Sequence, residues 1–158
     1  MAAGVRIRVA VCLVEEGRVL LVEHEKAERR YWLLPGGGVE LSETMVEAAS
    51  RELVEETGYE CEVGRLVIVC EAIEPMGRHI VNIVFAGRRT GGTLSVGSDR
   101  ALRDARWVER DRLLELEFYP PIAGTVAECI DEGLEGPVRY LGNVWRDRSA
   151  PAGRGGAG

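Results

Sequence analysis

The apolar positions of the chain fall into short runs separated by polar turns, and the period of each run names its element. From Val5 to Val14 the stretch VRIRVAVCLV is rich in β-branched residues and starts in alternation, which predicts a strand. Glu15, Glu16 and Gly17 make a turn, and RVLLVEH from Arg18 to His24 reads as the hairpin partner. A polar loop, EKAERR, comes next. YWLLPGGG, Tyr31 to Gly38, is a short apolar strand ended by Pro35, and its three glycines are expected to take positive φ and to let the backbone come close to a ligand.

A helical pattern follows. Ser42 is the expected N-cap, Glu43 suits the first turn, Val46, Ala49 and Leu53 form the apolar stripe, and Gly58 is the stop. Glu47 and Arg51 are spaced as an i,i+4 pair. Strand material returns from about Cys61 to Ile73, with Gly64 as the place for a break, and again from Arg78 to Arg89 after a tight connection at Pro75, Met76 and Gly77. Thr90 to Asp104 is a turn-rich loop. Ala105 to Val108 is a short strand with a helical turn behind it. A proline pair begins a helix that runs to about Asp131 and stops at Gly133. VRYLGNVW is a last edge strand. Strands on both sides of a central helix, and a second helix near the end, predict a mixed sheet with helices on it.

Bulk properties narrow this picture. At 158 residues the chain suits one domain, placed at residues 1–148, with a disordered Gly/Ala-rich tail at 149–158. No apolar run reaches the roughly 18 residues of a membrane span, and the start lacks the order of a signal peptide, so no membrane partner and a cytoplasmic location are expected. The net charge of -6 argues against nucleic acid as a partner, which calls for a basic footprint. Cys12, Cys61, Cys70 and Cys129 lack CxxC spacing and read as reduced, mostly buried residues. No GxGxxG, GxxxxGK[ST] or GxSxG motif is present, so Rossmann, P-loop and nucleophile-elbow chemistry find no support.

Candidate chemistry concentrates in the first helix. Glu52, Glu55 and Glu56 lie three and four residues apart, within about 100° of one another on the helix wheel. Their mutual repulsion, of roughly 0.2 to 0.5 kcal/mol per pair, and their opposition to the helix dipole call for a compensating charge. A hard divalent cation prefers such carboxylate oxygens, and a backbone carbonyl of Gly36 or Gly37 is placed to join them. Lys26, Arg29 and Arg30 either hold phosphate or solvate their loop, and Arg78 and His79 either touch the substrate or end a strand.

The spacing Gly37, five residues, Glu43, seven residues, Arg51-Glu52-Leu53, one residue, Glu55-Glu56, one residue, Gly58-Tyr59 resembles the signature of the Nudix hydrolases at every defined position, with Tyr59 where an aliphatic residue is usual. The resemblance implies an α/β/α sandwich around a mixed sheet and Mg²⁺-dependent hydrolysis, with Mn²⁺ as the other metal, of a small nucleoside diphosphate derivative. It implies that Glu52, Glu55 and Glu56, helped by the Gly36 or Gly37 carbonyl, hold the metal, and that Arg51 and Glu43 brace loop against helix. Family members place the general base either in the box or on a later loop, which leaves Glu52, Asp99 and Asp104 as candidates. Pro75 resembles a proline of the ADP-ribose pyrophosphatases, so an ADP-sugar such as ADP-ribose is the first expectation. A pool-cleaning pyrophosphatase acting on triphosphates, oxidised ones included, is the second. A non-catalytic nucleotide-binding module is the third, although such modules commonly lose box carboxylates and this chain keeps them. Homodimers are common in the family.

Overall fold

Strand β1, Arg6–Glu15, is the axis of the fold in a computed structural model that describes residues 4–148. It hands its end to β2, Arg18–Lys26, and β2 turns back into β3, Arg29–Leu33. The glycines form β4, Gly36–Gly38, which pairs antiparallel with β1. Helix α1, Met45–Thr57, leads into β5, Tyr59–Ile73, and the hairpin to β6, His79–Gly92. Then come β7, Leu102–Glu109, a 3₁₀ segment, Arg110–Glu115, helix α2, Ala123–Asp131, and β8, Arg139–Asn143. Across the eight-stranded sheet the order is β3-β2-β1-β6-β5-β8, with β4 on β1 and β7 on β2. The sheet is mixed, because β1 pairs parallel with β6 and β5 with β8 while the other pairs are antiparallel.

Alternation along β1 builds two cores. Val9, Val11 and Leu13 face α1 and pack with Ala48, Ala49, Leu53 and Phe85, whereas Ala10 and Cys12 face the other way, toward Val126, Ala127 and Cys129 of α2. A strand buried on both faces reads as continuously apolar, which is the pattern that Val9 to Val14 carries. Among the described residues no helix is long and apolar enough to cross a membrane.

Several local expectations change. EKAERR is mostly ladder: β2 runs to Lys26 and β3 starts at Arg29, leaving Ala27 and Glu28, at φ 50° and 62°, as a two-residue turn. Polar residues continue the strands there because Glu25 and Arg30 pair across them at 2.9 Å. Gly64 does not break β5, since register shifts between Val63 and Leu66 absorb the irregularity. The turn-rich loop loses both ends to strands, as β6 reaches Gly92 and β7 begins at Leu102.

The N-cap of α1 is Thr44 and not Ser42. Thr44 accepts from the Glu47 N–H while Glu47 reaches back to the Thr44 N–H, a capping box that Ser42, at φ 65° in the preceding turn, does not make. Glu47 is thereby spent on the cap and does not pair with Arg51. Val46 is 46% exposed, and Ala48 takes its expected place against the sheet. The tail at 149–158 lies outside the described residues.

Candidate active site

Local chemistry at the helix ends sets where the acids go. The capping box starts α1, and Gly58, at φ 75°, stops it with its N–H on the Val54 carbonyl at 2.9 Å. Between these stops Glu52, Glu55 and Glu56 emerge from consecutive turns toward β4. Gly36 and Gly37 of β4 are required by close approach rather than by positive φ, which no β4 glycine adopts, and Gly38 has open space where a Cβ would stand. A Cβ on Gly36 would meet the Val9 carbonyl, and one on Gly37 would meet the Glu52 carboxylate.

Glu56 is 6% exposed and still charged by type, so its partners matter. The Gly36 N–H donates to its Oε1 at 2.6 Å, and His24 Nε2 lies 3.0 Å from its Oε2. One buried carboxylate thus ties α1 to β4 and β2. Arg51 performs the matching task at the outer edge. Its Nε and Nη2 donate to both oxygens of Glu43, at 2.7 and 2.9 Å, its Nη2 also reaches the Gly38 carbonyl, and its Nη1 reaches Glu52 at 2.9 Å and Glu55 at 3.3 Å. These donors hold the Glu43 carboxyl down to about 2, with help from the Glu40 N–H. Glu52 moves the other way: burial raises it, the Arg51 hydrogen bond opposes the rise, and Glu56 and Glu55 add to it.

The acids line a cleft of about 770 Å³. The same lining is basic and aromatic as well, with Arg6, Arg8, Lys26, Arg78, Tyr31 and Tyr119. Burial lowers the Arg8 guanidinium while Glu56 and Glu52 pull it back toward the charged form, and Arg8 donates to the Leu34 carbonyl at 3.0 Å. Tyr31 and Tyr119 meet edge to face at 5.8 Å, and Arg148 stacks on both.

A domain model described as the NUDIX domain matches residues 4–129, the span that contains the acids, the glycine strand and both cores. The chain belongs to the Nudix family. It is 39% identical over 121 residues to the human 8-oxo-dGDP phosphatase NUDT18, covering 70% of this chain and 36% of that protein. It is 28% identical over 138 residues to phosphatase NudJ of Escherichia coli K12, covering 87% of this chain and 90% of the other. A Nudix hydrolase from Nitrosomonas europaea shares the fold with a TM-score of 0.74 at 21% identity, over 87% of this chain and 98% of that one. The chain spans about a third of the length of the human relative.

The cleft gathers most of the Nudix-box residues expected to act. Glu52, Glu55, Glu56, Gly36, Gly37, Arg78 and Asp99 line it, while Glu43 and Arg51 do not and are held to each other beside it. Asp99 arrives through backbone contacts: the Ser95 and Gly97 N–H groups donate to the Thr57 and Glu56 carbonyls, so the loop is fastened to the last turn of α1. Three expected residues lie elsewhere. Asp104 is held by Arg106 and the Ala105 N–H. Arg30 is paired with Glu25, and Arg29 donates to the Arg148 carbonyl. Each is bonded to a neighbour, and none of the three lines the cleft. His79 bonds Glu71 and does not line the cleft either.

Sequence reasoning missed His24, Arg6, Arg8, Asn82, Tyr31, Tyr119 and Ser98. A signal existed for three of them. Arg6 and Arg8 interrupt an apolar strand, and Asn82 is a lone amide within HIVNIVF. The rest come from segments whose pairing is set at long range.

Among the described residues no three carboxylate, His or Cys side chains already converge on one point. Glu56 is occupied by Gly36 and His24, and Glu52 and Glu55 by Arg51. The donor set nevertheless fits a hard divalent cation. It is made of carboxylate oxygen, its charges raise one another's cost, as Glu52 registers, and Gly37 leaves room for the Glu52 carboxylate against backbone.

Proposed function

We propose that this chain hydrolyses the P–O–P bond of a nucleoside diphosphate derivative with the help of Mg²⁺ or Mn²⁺. The observation that carries the reading is a single cleft in which a carboxylate cluster faces arginines and tyrosines, since a diphosphate needs the first for a cation and the second for its own charge and its base. Glu52, Glu55 and Glu56, with the Gly36 or Gly37 carbonyl, are the residues that would hold the cation. Bound there, such a cation would neutralise phosphate charge and lower the pKa of a water.

The protein's own groups do the rest. Arg78 draws the phosphates in, and the tyrosines face the base. Glu52 on the helix or Asp99 on the fastened loop takes the water's proton. Arg51 holds Glu52 and Glu43 so that loop and helix keep their spacing.

For the substrate, the likeness to a phosphatase named for 8-oxo-dGDP supports a purine nucleoside diphosphate, cut to a monophosphate and inorganic phosphate. The ADP-sugar reading, with AMP and a sugar phosphate as products, is supported by Arg78, a second phosphate-binding cation in the lining of the cleft. Pro75, which first suggested it, sits in the β5–β6 turn and does not line the cleft. Four free cysteines, three of them buried, fit a reducing cytoplasm.

A panel of nucleoside diphosphates, triphosphates and ADP-sugars, each incubated with Mg²⁺ and resolved by chromatography, separates the readings by product. Inorganic phosphate, pyrophosphate and sugar phosphate each mark one. Absence of any product with Mg²⁺ and with Mn²⁺ would overturn the proposal.

A further inference from the structure

Asn82 is 4% exposed, lines the cleft, and its Nδ2 has no hydrogen-bond partner among the described residues. A buried amide donor left unpaired is costly and calls for an acceptor from outside the protein. Its neighbours in the sheet do not supply one. The register sets Asn82 beside Arg8 of β1 and Cys70 of β5. A guanidinium has only donors. Cys70 is a buried thiol pushed up to about 11, so it stays neutral and is at best a weak acceptor.

Arg8 has the same need. Among the described residues its one hydrogen bond goes to the Leu34 carbonyl. The two donors therefore stand side by side on one face of the sheet, with Ile80 along the same strand and Tyr31 and Tyr119 lining the same cleft. Aromatic and apolar walls suit a base better than a phosphate. Position agrees, because Arg8 pairs with Gly38 on one side and Asn82 on the other, which puts Asn82 two strand spacings, about 10 Å, from the glycine strand that lies against the Glu52 carboxylate. That is about the reach from a diphosphate to the far edge of its base.

We propose that Asn82, with Arg8 beside it, determines base specificity by donating to the acceptor edge of a 6-oxopurine, so that the cleft prefers 6-oxopurine nucleotides to 6-aminopurine ones. An exocyclic amine at that edge would face donors with a donor. This assignment rests on reading the cleft as a nucleotide site.

The test is calorimetric binding of IMP, AMP and the 5′-monophosphate of unsubstituted purine riboside to the wild type and to Asn82→Leu, without added metal, alongside hydrolysis of IDP and ADP with Mg²⁺. The wild type is expected to bind IMP at least about tenfold more tightly than the other two, and Asn82→Leu to bind all three within about threefold of one another. Equal affinity of the wild type for IMP and AMP overturns the assignment, and so does a preference that survives in Asn82→Leu. Should that variant not fold, the wild type decides through the unsubstituted analogue: weaker binding than IMP upholds the role and equal binding removes it. A wild type that hydrolyses neither diphosphate removes the free nucleoside diphosphate as the substrate, while the affinity ratios still decide Asn82.

Discussion

Glu56 is the residue whose environment is most demanding, because it is buried, acidic and shared between two partners from other elements. Glu56→Gln keeps an oxygen for the Gly36 N–H and removes the charge. Turnover with saturating Mg²⁺ is expected to fall on the order of 100-fold or more, with the fold retained, as read by initial rates and circular dichroism. Unchanged rates would remove Glu56 from the metal set. Cys12 carries a different prediction. Burial, aided by nearby Cys129, pushes its thiol from the ordinary 9.0 up to about 12. Between those values the unfolded chain sheds the proton and the folded one keeps it, so stability contributed by Cys12 is complete below pH 9 and is lost as pH rises toward 12. Denaturant titrations at pH 8 and pH 10.5 should differ in that direction, and Cys12→Ala should shrink the difference. At pH 8 in native protein, Cys61 should be the thiol that reacts first with an alkylating reagent, since the other three are buried.

At the scale of elements, α1 has to be placed at both ends for its acids to meet β4. The cap is testable by contrast: Thr44→Ala should destabilise the protein by about 1 kcal/mol in urea, and Ser42→Ala by much less, because only Thr44 completes the capping box. The reverse ranking would mean that the helix starts earlier. Gly37→Ala addresses the other side of the same junction. Its new Cβ meets the Glu52 carboxylate, which is a movable side chain, so the prediction is a fold that survives and a loss of turnover that exceeds the loss of substrate affinity. A rise in KM with kcat intact would instead place Gly37 in binding.

For the whole molecule, cation binding and stability are linked. If Glu52, Glu55 and Glu56 hold Mg²⁺ in the folded state and are dispersed in the unfolded one, melting temperature should rise with Mg²⁺ concentration, return with a chelator, and respond much less in Glu56→Gln. A wild-type shift no larger than that of the variant would count against the site.

Much of this architecture was legible in the order of residues. The strand character of Val5 to Val14, the helix ended by Gly58, the helix after the proline pair and the edge strand at Arg139–Asn143 all follow from periods and punctuation. The acids were legible too, since Glu52, Glu55 and Glu56 share one helix and their mutual placement needs nothing beyond a 3.6-residue turn. Errors arose where a residue had two local options. Ser42 and Thr44 are both good caps, and the choice followed from which of them could exchange bonds with Glu47. Arg29 and Arg30 looked available for phosphate until the hairpin gave Arg30 the Glu25 carboxylate and the distant Arg148 carbonyl reached Arg29.

The sequence by itself determined that a carboxylate cluster would stand at the end of a helix behind a glycine strand, because short-range spacing and helix geometry leave little freedom there. Tertiary structure alone decided what that cluster faces. Arg8 meets Asn82 through a parallel pairing between strands some 70 residues apart, and His24 reaches Glu56 from a third strand. Such pairings depend on the register of whole strands, which is set by the cores on both faces of the sheet and not by the residues they bring together.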